Sequence, residues 1–196
     1  MKKFDDIIYL HGYQGENSVK FDILKDHFDD QYEVIKPKQV LKPFENFDNL
    51  EEFFKDHKYS FIIGSTLGGF YTLLISLKYQ NPCLLINPSY QPGTGQLKEK
   101  LPEEYIKQFQ VLRQKIKEFV EKNKTGLDFL NFFISRDDNV IDHTNIINDF
   151  KIVEKNFHFF ENKGHGFAYI NEDLEDIKNI IERYEHSGYE GMNPHY

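Results

Sequence analysis

Several residue types are scarce in this chain of 196 residues. Cysteine occurs once, at Cys83, and tryptophan does not occur. A single thiol excludes a disulfide framework, and its place in the apolar run Cys83 to Ile86 reads as a small buried hydrophobe. Glycine (12) and proline (7) are few and localised, with no internal repeat and no low-complexity linker. Positive charge is also short: Lys+Arg 24 against Asp+Glu 32 leaves a formal charge of -8, and no basic cluster is long enough to follow a phosphate backbone. Nucleic acid is therefore not an expected partner. Long hydrophobic runs are missing as well. The longest are strand-sized, and the opening MKKFDD puts aspartates where a signal peptide needs an apolar stretch, so a soluble, cytoplasmic protein with no membrane span is expected.

Aromatic side chains are what the chain has in quantity. Phe 19 and Tyr 12 must fill much of the core and any pocket. The length suits one domain, 1–186, followed by a tail, 187–196, of turn composition. Short apolar runs predict strands at Asp6 to Leu10, Tyr32 to Ile35, Tyr59 to Ile63, Cys83 to Ile86, Leu127 to Ile134 and Asn156 to Phe160. Helical spacing lies between most of them. Asn17 to Phe28 sets Val19, Phe21, Ile23, Leu24 and Phe28 near one face, and Leu67 to Leu77 and Leu174 to Tyr184 show comparable patterns. Such alternation predicts an α/β three-layer sandwich around a mostly parallel sheet of about six strands. One interval, 88–126, is longer than a minimal crossover and contains an amphipathic helix from about Pro102 to Lys122, a lid or a plain crossover helix.

Four loops carry chemistry. In GSTLG, Gly64 and Gly68 stand two residues either side of Thr66, the spacing of a nucleophile elbow, in which a sharp strand-to-helix turn projects a hydroxyl. Making Ser65 the nucleophile would need glycines at Ile63 and Leu67. Thr66 is the residue in frame, and its β-branch must fit a turn whose positive φ is costly for such residues. Closing the first strand, Leu10-His11-Gly12-Tyr13 offers a loop that can aim a backbone N–H, so the amides of Tyr13 and Leu67 are the candidate oxyanion donors and His11 and Gly12 shape the loop. Ser135-Arg136-Asp137-Asp138-Asn139-Val140 places acids after a late strand, as a triad's orienting carboxylate requires and as an ordinary solvated turn also would. Finally, Gly164-His165-Gly166-Phe167 puts a glycine-flanked histidine in the loop before the last helix. The order nucleophile, acid, histidine, each at the carboxyl end of a predicted strand, is that of a hydrolase site. A metal centre of His11, Asp138 and His165 has no supporting ligand spacing.

From about Ile7 to Tyr184 the sequence resembles the small bacterial YqiA-like esterases of the α/β-hydrolase superfamily. The likeness rests on IIYLHGYQGENSVKFDIL, IIGSTLGGFYTLLIS, LLINPSYQP, DDNVID and GHGF. It implies a compact α/β-hydrolase sheet and a cofactor-free esterase or thioesterase acting on a small acyl ester or thioester. By position it implies Thr66 as nucleophile, Asp138 as acid, with Asp137 as the alternative, and His165 as base. The family's elbow has serine where this chain has Thr66. The alternative reading is accordingly a pseudo-hydrolase that binds a ligand or a protein without turnover. Tyr13, Tyr90 and Phe167 fall near the predicted sheet edge, as acyl-pocket lining or as ordinary core. No exposed apolar stripe nominates an oligomer interface.

Overall fold

Among the described residues every strand lies parallel to its neighbours in one six-stranded sheet of order β2-β1-β3-β4-β5-β6. The computed structural model describes residues 4–57, 60–123, 125–167 and 169–187. Its strands are β1 (Asp6–Leu10), β2 (Glu33–Ile35), β3 (Phe61–Ser65), β4 (Cys83–Ile86), β5 (Leu130–Ser135) and β6 (Phe157–Phe160). Between them run α1 (Val19–Phe28), α2 (Pro43–Phe54), α3 (Leu67–Tyr79), α4 (Gly95–Lys98), α5 (Glu103–Lys122) and α6 (Thr144–Asp149), with α7 (Leu174–His186) last. The helices α2, α3 and α5 pack on one another against one face of the sheet, and α1 and α7 share the 3-10 turn Ile170–Asp173 on the other. Among the described residues no helix is long and apolar enough to cross a membrane.

Both faces being covered, the inner strands are apolar along their whole length rather than in alternation. Ile7, Ile8 and Leu10 of β1 and Phe61, Ile62 and Ile63 of β3 are fully buried, as are Cys83 to Ile86 of β4. The buried thiol of Cys83 is pushed up to about 12 by burial, chiefly, so it packs as a hydrophobe. Helix α3 is buried on nearly every side, from Leu67 to Leu77, because the sheet lies beneath it and α2 and α5 lie over it. Helix α5 joins β4 to β5 and sets Phe109 against Phe70 and Tyr71 of α3, with ring centroids 5.5 and 6.2 Å apart.

The sequence pattern differs from the structure at a few places, each with a physical cause. The third strand runs on past Ile63 to Ser65, because its ladder with β4 needs only backbone and passes straight through Gly64; Tyr59 lies outside the described residues. Leu127 and Phe129 are buried but belong to a turn closed by Leu130 N–H donating to Leu127 O at 3.0 Å, so β5 starts at Leu130. Helix α2 is hidden in the sequence by a polar residue in its buried stripe: Asn46 sits among Pro43, Phe47, Leu50 and Phe54, and its Oδ1 accepts the Val40 amide at 2.7 Å. Val19, expected on the inner face of α1, is exposed in the helix's first turn, while Leu24 and Phe28 are buried. The tail expected at 187–196 lies outside the described residues from 188 onward.

This sheet order has one consequence for function. The chain leaves β1 for the edge strand β2 and returns to β3, so a crevice opens at the carboxyl ends of β1 and β3, where α/β sheets place ligands.

Candidate functional site

Thr66 occupies that crevice. It follows β3 directly, at φ 55° and ψ −115°, and α3 begins at the next residue. A β-branched residue held at this conformation stores roughly 1 to 3 kcal/mol of strain. Three hydrogen bonds hold it there: Thr66 N–H donates to Ile86 O at 3.0 Å, and Thr66 O accepts from Gly69 N–H at 3.1 Å and from Ser89 N–H at 2.8 Å. The neighbouring glycines are required by crowding. A Cβ on Gly64 would stand 2.1 Å from Thr72 Oγ1, and one on Gly68 would stand 2.0 Å from Leu10 O. Ser65, the hydroxyl out of frame, is buried beside the Tyr9 phenol.

Across the crevice the loop after β1 closes on the same residue. A Cβ at Gly12 would lie 3.1 Å from Thr66 Cβ and 3.5 Å from its Oγ1, so a side chain there would press on Thr66. His11 donates from Nδ1 to Gly12 O at 2.7 Å, which fixes its tautomer by the acceptor it faces, and Gly15 N–H donates to the same oxygen at 3.1 Å. Gln39, which the sequence reading did not single out, clamps this loop: its Oε1 accepts from His11 N–H at 2.8 Å and its Nε2 donates to His11 O at 3.2 Å. Among the described residues the N–H groups of Tyr13 and Leu67 donate to no protein acceptor. Both residues line a cavity of about 170 Å3 with Tyr71, Gln39, Val40 and Leu41. A larger groove of about 570 Å3 lies at the other end of α3, by Leu77 and Tyr79, away from Thr66.

The third and fourth loops meet each other. His165 Nδ1 lies 3.2 Å from Asp138 Oδ1 and 3.1 Å from Oδ2. Asp138 follows β5, and its side chain has no solvent exposure. Burial alone would raise its carboxyl; hydrogen bonds from His143, His165 and the amides of Val140 and Ile141 outweigh burial and hold it well below the usual carboxylate range. Asp137 has different partners. It accepts from Ser135 Oγ and, at 2.9 Å, from Gly164 N–H, so it braces the histidine loop from outside.

His143 was not anticipated. Its Nε2 meets Asp138 Oδ2 at 3.0 Å, so one buried carboxylate serves two imidazoles, and its Nδ1 is buried with no partner among the described residues. The signal lay in DDNVIDH, where the tight turn closed by Asp138 Oδ1 accepting from Val140 and Ile141 N–H brings a histidine five residues on back to the acid. Of the three aromatics placed near the sheet edge, only Tyr13 lines the cavity at the crevice. Phe167 is buried against Phe133 and Phe160, with centroids 5.8 and 5.0 Å apart, and pins the histidine loop to the sheet. Tyr90 is also buried, its hydroxyl donating to Asp149 Oδ2 at 2.8 Å under the Arg113 guanidinium.

Solved structures of known proteins share this architecture. A structure reported with LipS and LipT, two metagenome-derived lipolytic enzymes, superposes with a TM-score of 0.68 at 13% identity, covering 92% of this chain and 94% of that one. Est1E from Butyrivibrio proteoclasticus does so at 0.67 and 14%, covering 95% and 89%. MGS-MChE2, an α/β hydrolase from the metagenome of lagoon sediments at Mar Chica, Morocco, gives 0.61 and 20%, covering 96% and 95%. At these identities the likeness establishes the α/β-hydrolase fold. Compared with curated proteins, the chain finds no match. A sequence family does match, over residues 6–182, from the first strand to the last helix. The chain thus belongs to the uncharacterised protein family UPF0227, the YqiA-like family.

Proposed function

We propose that the protein is a carboxylic ester hydrolase, an esterase or thioesterase, with Thr66 as nucleophile, His165 as general base and Asp138 as the acid that orients it. The observation that carries this reading is the pairing of His165 Nδ1 with the buried, ionised Asp138 at 3.1 to 3.2 Å, in a fold that holds Thr66 on a strained strand-to-helix turn. In the neutral ring, Nδ1–H donating to the carboxylate puts the lone pair on Nε2, where a general base needs it. Thr66 Oγ1 attacks the carbonyl carbon while its proton passes to His165 Nε2. The resulting oxyanion lies between the free amides of Tyr13 and Leu67. Collapse of the tetrahedral intermediate breaks the bond to the alcohol or thiol, which leaves with the proton from His165, and an acyl group remains on Thr66. Water then attacks that acyl carbon, gives its proton to His165, and releases a carboxylic acid as Thr66 recovers its own. No metal or cofactor takes part in this scheme.

The test is labelling by a fluorophosphonate probe together with turnover of acyl esters. Expected is slow hydrolysis by the protein as it stands, abolished in His165→Ala and faster in Thr66→Ser, since a primary hydroxyl reaches the carbonyl with less crowding. Turnover confined to the Thr66→Ser variant would instead mark a non-catalytic relative that keeps the site for binding, and inertness of both proteins would remove the hydrolase proposal altogether.

A further inference from the structure

The strand order sets a distance problem for the histidine. Thr66 follows β3, whereas His165 follows β6, three strands along the sheet. At about 4.8 Å per strand the imidazole starts roughly 14 Å to the side of the hydroxyl it has to serve. The loop after β6 must cross the ends of β5 and β4 and be held where it lands.

Asn87, the first residue after β4, stands on that path and is wholly buried. Its Nδ2 donates to Gly164 O at 2.9 Å and to His165 O at 3.1 Å, while its Oδ1 accepts Ser135 N–H from the end of β5 at 2.8 Å. Both amide hydrogens and the carbonyl are thereby used, and the partners fix which way the amide points: an N–H on one side, two carbonyls on the other. Its backbone is left-handed at φ 41°, a conformation asparagine tolerates better than most residues. The two residues that follow face the elbow. Pro88 fills the space a side chain on Gly69 would need, 2.8 Å from that Cβ position, and Ser89 N–H donates to Thr66 O at 2.8 Å.

We infer that Asn87 is a positioning residue for the proposed reaction: it fastens the histidine loop over the end of β4, one strand from Thr66, and with Pro88 and Ser89 sets the spacing between base and nucleophile. This rests on the hydrolase reading for its catalytic consequence, but the fastening itself is independent of turnover. Asn87 touches no reacting atom; it acts through the backbone of His165.

The discriminating substitution is Asn87→Asp, equal in shape. It keeps an oxygen for Ser135 N–H and turns a second oxygen, without protons, toward the carbonyls of Gly164 and His165. Two measurements are made in the Thr66→Ser background: ester kinetics, and hydrogen exchange at the amides of Gly164 and Phe167. In the parent these amides donate to Asp137 Oδ1 at 2.9 Å and Gly164 O at 3.1 Å. Expected is a fall in kcat of tenfold or more with KM within twofold, and exchange at those two amides at least tenfold faster, while exchange in β3 and β4 is unchanged. Asn87→Ser, small enough to admit a water between the loops, is expected to fall between the two. If Asn87→Asp leaves both kcat and loop exchange within twofold of the parent, the positioning role is wrong. Faster loop exchange with no turnover in the parent itself would uphold the fastening and count against the hydrolase reading instead.

Discussion

Two turns of this molecule place a chemically useful residue between glycines, Gly64-Ser65-Thr66-Leu67-Gly68 after β3 and Gly164-His165-Gly166 after β6, yet the glycines are there for opposite reasons. In the elbow they make room. Side chains at Gly64 and Gly68 would collide with Thr72 and with the backbone of Leu10 at 2.1 and 2.0 Å. In the histidine loop a side chain at either glycine meets nothing within 4 Å. The first turn is fixed by what surrounds it and the second by what it is tied to: Asn87, Asp137, Asp138, Ser135 and the ring of Phe167. In the proposed reaction the nucleophile needs an unyielding backbone because its strain must be held, whereas a base that moves protons twice per cycle needs only its ring plane and tautomer set.

Cutting the strongest tether is the severest trial of that contrast. Asp138→Asn keeps the size of the side chain and leaves Oδ1 for the amides of Val140 and Ile141. Its Nδ2, however, now sets a donor against the ring nitrogens of His143 and His165, and the acceptor left to His165 Nδ1 is Oδ1, 3.2 Å away and shared with those two amides. His165 thereby loses the ionised partner that set its tautomer, and a proton can settle on the nitrogen that should accept one. Under the proposed mechanism, ester turnover should fall by roughly 10⁴-fold. The same variant has a signature in stability. Asp138 is depressed below its ordinary value of 3.8, so the folded state binds fewer protons than the unfolded state in acid. The stabilisation it gives is complete above that value and is lost progressively as pH falls below it. Thermal melts from pH 7 downward should therefore show a shallower acid decline in Asp138→Asn than in the parent; an identical decline would mean that other carboxylates set it.

Gly68→Ala tries the other turn. Alanine is the better helix former by about 1 kcal/mol, but its Cβ would meet backbone oxygens of Leu10 and His11 at 2.0 and 2.5 Å, and backbone cannot swing aside. Overpacking of this kind costs on the order of 3 kcal/mol, so a net loss of about 2 kcal/mol is expected in chemical denaturation. If the variant proved as stable as the parent, the elbow would have to be more yielding than its contacts imply.

The same contrast explains what could be read from the sequence. The sheet was legible because strands covered on both faces leave uninterrupted apolar runs, and β1 and β4 were expected at their observed bounds. The two turns were legible because glycines at fixed offsets are a local signal. What was not legible depends on side chains meeting across the fold. Nothing in NPS says that Asn87 reaches two strands sideways, nothing in a lone Gln39 says that it clamps His11 from the loop after β2, and nothing but a five-residue spacing hints that His143 returns to Asp138. Helix α2 escaped for a related reason. Its buried Asn46 serves the loop before it, and a polar residue with a tertiary partner breaks the apolar pattern by which helices are recognised.

The mildest expected effects separate conformation from crowding within the histidine loop itself. Gly164 has φ 61°, so alanine there meets no atom but must hold a left-handed backbone, at about 1 kcal/mol. Gly166 has neither constraint: its φ lies outside the left-handed region and its Cβ position is open. Gly166→Ala should therefore stay within about 0.5 kcal/mol of the parent in stability, and if the loop is held by its tethers alone, turnover should be unchanged as well. A stability change of nil accompanied by a marked fall in kcat would mean that Gly166 serves a conformation visited only during the reaction. The loop would then be a hinge, and the contrast with the elbow would lie in motion rather than in how each turn is fixed.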